Sequence, residues 1–177
     1  MNELSLKASK IECLVCDVDG VLTDGLIHLD NHGNTIKSFS IQDGMGLKLL
    51  MAAGIQVAII TTSAHGAIDA RIKQLGIEHY FPGQVDKRPA FDALQRTLNL
   101  PDEAFAYIGD DLPDLPLIRK AGLGIAVANA IHQVKAAADW QTEQSGGRGA
   151  VRAVCELLLS TQNKEEAALS RYFAEAQ

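Results

Sequence analysis

Four short apolar runs punctuate the chain: Ile11 to Cys16, Gln56 to Ile60, Ala104 to Ile108 and Leu123 to Val127. Runs of this length without alternating polar positions predict strands buried on both faces, as in a parallel sheet. Between them the apolar residues recur at helical spacing. Leu47, Leu49, Leu50 and Met51 stop at Gly54, and Ile68, Ile72 and Leu75 stop at Gly76. Each glycine stands where a helix C-terminus favours one. Phe91, Leu94 and Leu98 follow Pro89, a residue suited to a helix start, and Pro113 to Ala121, closed by Gly122, and Gly149 to Leu159 predict two more helices. Alternation of strands and helices implies right-handed βαβ units. The predicted fold class is therefore α/β, a doubly wound parallel sheet in a single domain over residues 1–177. Ligands in such sheets bind beyond the carboxyl ends of the strands. The polar residues that follow the runs are Asp17 and Asp19, Thr61 and Thr62, and Asp110 and Asp111, which are expected to line one crevice.

Residues 25–39 break the pattern, with short alternating segments around Asp30-Asn31-His32-Gly33. This predicts a β-hairpin lying over the crevice, its apolar side chains covered by a partner subunit. Residues 162–177, charged and alanine-rich, read as either an extra helix or a mobile tail.

Composition narrows the function. A chain of 177 residues with 47% apolar residues buries a core of its own. A net charge of -6 speaks against nucleic-acid or membrane-surface binding. No apolar stretch is long enough to cross a membrane, and Met1 to Lys7 has no apolar signal core. A cytoplasmic protein is expected. Cys13, Cys16 and Cys155 read as buried small hydrophobes rather than zinc ligands.

The acids carry the chemistry. Asp17 and Asp19, spaced i, i+2, are expected to point the same way from a strand. They would meet Asp110, Asp111 and Asp114 in the crevice. Converging carboxylates repel one another and are stable as anions when a cation neutralises them. Oxygen ligands predict Mg2+, with Asp17, Asp19 and Asp110 around it. Asp17 then reads as a nucleophile toward phosphorus and Asp19 as the acid that protonates the leaving oxygen and later activates water. Thr61 would hydrogen-bond a phosphoryl oxygen, and Lys87 would neutralise transition-state charge. Asp111 and Asp114 would orient water, Lys87 or the substrate. No G-x-x-x-x-G-K-[ST] sequence is present, which disfavours a P-loop nucleotidase.

In this order, Asp17-Val18-Asp19-Gly20-Val21, Thr61, Lys87 and Gly109-Asp110-Asp111-Leu112-Pro113-Asp114 resemble the four motifs of the haloacid dehalogenase superfamily. The resemblance implies a Rossmann-like sheet and a Mg2+-dependent phosphomonoesterase with an aspartyl-phosphate intermediate on Asp17. Only 43 residues separate Asp17 from Thr61 and 25 separate Thr61 from Lys87, which leaves no space for a cap domain. Asp17 to Gly25, Gln42 to Gly46 and Gly146 to Arg152 look most like the capless octulosonate 8-phosphate phosphatases. That likeness implies lipopolysaccharide precursor synthesis and a homotetramer in which the hairpins form a central barrel and neighbours complete each site. It also implies substrate contacts at Asp19, Ser40, Ile41, Gln42, Asp43, Gly44, Lys48, Arg71, Lys87 and Asp111, with Ser63 and Arg148 beside them. Three positions depart, since Ser63, Gln42 and Lys48 stand where arginine is usual. Related capless enzymes act on nine-carbon ulosonic acid 9-phosphates, and the same fold also serves as a non-catalytic assembly module. Both stay open as alternatives.

Overall fold

The computed structural model describes residues 2–173. In chain order its strands are β1 (Cys13–Cys16), β2 (His28–Leu29), β3 (Thr35–Ile36), β4 (Gln56–Ile60), β5 (His79–Phe81), β6 (Phe105–Gly109), β7 (Leu123–Ala126) and β8 (Trp140–Gln141). Its helices are α1 (Glu3–Ala8), α2 (Ile41–Ala52), α3 (Gly66–Leu75), α4 (Arg88–Leu98), α5 (Leu115–Lys120), α6 (His132–Ala137), α7 (Ala150–Thr161) and α8 (Glu165–Phe173). Six strands form one parallel sheet in the order β5-β4-β1-β6-β7-β8. Every residue of β1 is buried, and Cys16 lies opposite Ile59 of β4 and Ile108 of β6. A central strand covered on both faces needs such an uninterrupted apolar run.

The chain leaves β1 toward β4 and β5, then crosses back to place β6 on the other side of β1. That reversal opens a crevice between the carboxyl ends of β1 and β6, where doubly wound sheets receive ligands. Strands β2 and β3 pair only with each other, and the described residues hold nothing larger than this hairpin between β1 and α2. No cap domain is present there.

Helix α2 starts six residues earlier than the apolar spacing from Leu47 predicts. The Ser40 hydroxyl caps it by accepting from the Asp43 amide, so Gln42-Asp43-Gly44 is helix rather than loop. Helix α2 packs on α7, and Gly46 permits the approach, since a Cβ there would lie 3.1 Å from Cys155 Sγ. The short elements α1, β5, α6 and β8 carry too few apolar residues to show a period, and the sequence reading did not anticipate them. The C-terminal segment takes the first of its two expected forms as α8, while residues 174–177 lie outside the described residues. No described helix is long and apolar enough to cross a membrane. The three thiols are buried and free.

Asp43 shows how a motif acid serves the fold. It is 1% exposed, and its carboxylate accepts from the amides of Gly149 (3.3 Å) and Arg152 (2.8 Å), capping α7 from across the α2–α7 interface. The sequence reading placed it against substrate; burial and these two bonds take it out of ligand reach. Burial raises its pKa against those hydrogen bonds, so a neutral acceptor suits the position as well. Asp43→Ala is expected to cost about 1 to 2 kcal/mol in urea unfolding, as lost caps do, and Asp43→Asn less than half of that.

Candidate active site

Strand β1 ends at Cys16, so Asp17 and Asp19 sit in the turn beyond it rather than on one strand face. The Asp17 amide still donates to the Ile108 carbonyl of β6. The chain then folds tightly, with the amides of Val21, Leu22 and Thr23 all converging on the Val18 carbonyl. The Thr23 hydroxyl accepts from Gly20 and Gly25 amides. Gly20 has φ +86°, and a Cβ there would lie 2.0 Å from Asp110 Oδ2. Only glycine lets this turn lie against the second acidic cluster. The turn sends the two acids to different places. Asp17 faces Lys87 and Asp110, whereas Asp19 pairs with Lys37 of the hairpin.

Asp114, fully buried, holds the centre together. Its Oδ1 accepts from Lys87 Nζ (2.7 Å) and the Tyr107 hydroxyl (2.7 Å), and its Oδ2 accepts from the amides of Asp110 and Asp111. Lys87, at the start of α4 and 1% exposed, also lies 2.9 Å from Asp17 Oδ1. Burial pulls its pKa down, but Asp17 and Asp114 outweigh that and hold it above the ordinary lysine value. It stays an ammonium. Thr61, at the end of β4, is buried and accepts from the Ser63 amide at 3.1 Å, which leaves its hydroxyl proton free to donate.

Asp17, Asp110 and Asp114 each offer a carboxylate oxygen within 4.8 Å of the others. Asp110 Oδ1 is buried with no formed hydrogen bond, and Asp17 Oδ1 has the Lys87 ammonium beside it. Burial, then the Asp114 charge, pushes Asp17 up to about 7. Burial, Asp114 and Asp17 push Asp110 up to about 8. A hard divalent cation would neutralise this set, and all-oxygen donors fit Mg2+. Because Asp114 is saturated by four donors, Asp17 and Asp110 are the side chains left to hold the ion. The Asp19 carboxylate turns to Lys37 and lies outside this cluster, so its side chain is not one of those that meet there.

Both raised acids retain protons in the folded protein that the unfolded chain releases above about pH 4. Without metal, stability is therefore expected to fall as pH rises from about 4 through about 8. Mg2+ displaces those protons, so the melting-temperature gain on adding it is expected to grow across that interval. Melts in chelator and in Mg2+ check this, and a gain independent of pH would remove Asp17 and Asp110 as ligands.

The remaining residues expected around the substrate do not form one surface. Asp19 and Ser63 line a cavity of about 310 Å³ with Lys37, His65, Leu26 and Ile27. Ile41, Gly44, Lys48 and Arg71 line a separate cavity of about 250 Å³. Gln42 and Arg148 line a third of about 360 Å³ beside α7. The cause is helical, because successive residues of α2 turn about 100° apart, so Ile41 and Lys48 share a face that Gln42 leaves. Arg71 donates to the Ser40 carbonyl at 2.9 Å and lies over the Phe39 ring. Asp111 accepts from the Leu112 amide, capping the turn at Leu112–Asp114. His65 Nδ1 caps α3 by accepting from Ala67. Arg148 lies 3.5 Å from Asp24 and is largely exposed. Lys37 and Tyr107 were missed: a lysine in a hairpin and a tyrosine in a buried strand carry no local signal for a role in the site.

A family model described as haloacid dehalogenase-like hydrolase matches residues 80–154. A protein from Yersinia pestis named 3-deoxy-D-manno-octulosonate 8-phosphate phosphatase KdsC is 45% identical over 167 residues, 94% of this chain and 89% of its own. Among solved structures, one from Legionella pneumophila, described as a HAD superfamily (subfamily III A) hydrolase by resemblance, is 65% identical with a TM-score of 0.96, covering 99% of this chain and 96% of its own. The 3-deoxy-D-manno-octulosonate 8-phosphate phosphatase from Moraxella catarrhalis, solved with magnesium ion, phosphate ion and KDO, is 45% identical with a TM-score of 0.93, covering 97% of this chain and 99% of its own. With this identity along nearly the whole length, and two acid-bearing turns meeting at the β1–β6 crevice, the chain belongs to the haloacid dehalogenase-like hydrolases.

Proposed function

We propose that the protein is a Mg2+-dependent phosphomonoesterase that hydrolyses 3-deoxy-D-manno-octulosonate 8-phosphate to the free sugar acid and inorganic phosphate. The observation that carries this is Asp17, a buried carboxylate just past the end of the central strand, whose Oδ1 lies 2.9 Å from the Lys87 ammonium and which meets Asp110 within 4.8 Å. The ammonium orients this carboxylate and neutralises charge on the phosphate it would attack. The activity named for the Yersinia pestis relative and the ligands of the Moraxella catarrhalis structure support the substrate.

In this reading Asp17 Oδ1 attacks phosphorus and the bond from phosphorus to the sugar oxygen breaks. Asp19 gives its proton to the departing oxygen, then takes one from the water that attacks the aspartyl phosphate, releasing phosphate and restoring Asp17. The Thr61 hydroxyl donates to a phosphoryl oxygen, and the Lys87 ammonium, fixed by Asp114 and Tyr107, faces the charge that accumulates there. Asp17 and Asp110 would hold Mg2+, which would supply further charge neutralisation.

The hairpin leaves Leu26, Ile27, Leu29 and Ile36 more than half exposed, and Ile41 of α2 is 82% exposed. A two-stranded hairpin is marginal alone, and so much apolar surface favours assembly. In this reading the chain is a cytoplasmic homotetramer built on the hairpins, in which Ile41, Lys48, Arg71, Gln42 and Arg148 serve a neighbour's crevice, and the exposed apolar hairpin residues support it. Light scattering tests it, and a monomer at micromolar concentration would remove that role.

The deciding experiment is Mg2+-dependent phosphate release from the octulosonate 8-phosphate, nine-carbon ulosonic acid 9-phosphates and simple hexose phosphates at matched concentrations. Preference for the first supports the proposal. Preference for a nine-carbon acid would make Ser63, Gln42 and Lys48 the specificity determinants, since a missing arginine fork removes a bidentate carboxylate contact. No hydrolysis of any would favour the non-catalytic assembly module.

A further inference from the structure

Lys37 has no part in the chemistry derived so far, yet it reaches into the crevice. It lies just beyond β3 on the second arm of the hairpin and donates a hydrogen bond to Asp19 Oδ1. Its side chain is only 10% exposed, while Asp19 keeps 39%. Among the described residues, Asp19 is the one hydrogen-bonding partner the structure gives this ammonium. A buried lysine with one part-exposed acid as its partner adds little net stability, because desolvation offsets the attraction. The pair forms one wall of the 310 Å³ cavity, and Lys37 is the only lysine or arginine lining it.

We propose that Lys37 is a positioning residue for proton transfer by Asp19, an inference that rests on the phosphatase reading above. Asp19 enters the step protonated on Oδ2, the oxygen Lys37 does not bond, and donating that proton to the departing sugar oxygen leaves a carboxylate. An ammonium in hydrogen-bond contact stabilises that product and fixes the carboxylate's direction. Lys37 keeps its own proton throughout, and the one transferred proton passes from Asp19 to the leaving oxygen. The hairpin thereby holds the proton donor, while β1 and β6 hold the nucleophile.

The leaving group tests this. A sugar phosphate releases a basic alkoxide that needs the proton, whereas p-nitrophenyl phosphate releases a stabilised phenolate that does not. Wild type, Lys37→Met and Lys37→Arg are compared on p-nitrophenyl phosphate and on whichever sugar phosphate the wild type cleaves best. Lys37→Met is expected to lower kcat on the sugar phosphate by about 10- to 100-fold, a part of what a general acid supplies. KM should change little, and the loss on the aryl phosphate should stay under about threefold. Lys37→Arg is expected to restore most of the sugar-phosphate rate. Equal loss on both substrates, or no loss on either, would overturn the proposal and leave Lys37 a clasp for the hairpin. A wild-type protein that cleaves neither would instead overturn the phosphatase reading itself, and the proposal with it.

Discussion

Asp17→Asn is expected to lower kcat for phosphate release by about three orders of magnitude or more, the scale of losing a catalytic nucleophile, without loss of the fold. The amide cannot attack phosphorus as a carboxylate does, and it withdraws one of the two oxygens that the geometry leaves for Mg2+. Stability is a separate matter. Asp17 is one of three acids within 4.8 Å, and its burial beside Asp114 pushes it up to about 7, so removing its charge relieves repulsion. Lys87 keeps Asp114 and Tyr107 as partners. The melting temperature without metal is therefore expected to stay level or rise at neutral pH. Acid-quenched single-turnover reactions check the kinetic half, since phosphate trapped on the protein in wild type should vanish in the variant. Undiminished Mg2+-dependent turnover would remove Asp17 as the nucleophile.

The second large effect concerns Lys87. Lys87→Met is expected to abolish activity and to destabilise the fold by about 3 to 5 kcal/mol, the cost of stripping a buried charge cluster of its only cation. For a chain of this size that is a fall in melting temperature on the order of 10 °C. Methionine fills the volume, so the loss comes from charge. Asp17 and Asp114 would face each other in the buried centre with no ammonium between them. Lys87 is also one of the influences that lower the Asp17 pKa. Without it Asp17 protonates at higher pH, and the stability deficit is expected to shrink as the solution is acidified. Urea unfolding at neutral and acidic pH checks this. A deficit that does not change with pH would mean that packing, not charge, is what Lys87 supplies.

The comparison of Lys87 with Asp43 shows why some site residues were legible and others were not. Lys87 stands alone in sequence, but its spacing after Thr61 and before the second acidic cluster carries the role, and the end of β1 and the start of α4 bring it to Asp17. Asp43 lay in a motif-like stretch, and nothing local distinguished a carboxylate facing ligand from one capping a helix 106 residues away. Asp19 was legible as an acid but not as the partner of Lys37, because that pairing depends on how a hairpin folds back over the turn. Ile41, Gln42 and Lys48 are close in sequence, yet the early start of α2 spreads them around a helix. Only the period of that helix, invisible in a stretch containing two glycines, reveals it.

The sequence by itself determined the elements that rest on local or periodic physics: the buried apolar strands, the helices stopped by glycine, the hairpin, and the order of Asp17, Thr61, Lys87 and Asp110 along the chain. Burial on two faces demands a continuous apolar run, and the helix stops at Gly54 and Gly76 use left-handed residues, so both leave marks within a few positions. Tertiary structure alone decided which acids meet. It brought Asp114 rather than Asp19 to Asp17 and Asp110, used Asp43 to cap α7, set Tyr107 behind Lys87, and placed Lys37 on Asp19. Charges interact through space over a few ångströms whatever their separation along the chain, and that distance is fixed only when the sheet, the hairpin and the helices have packed.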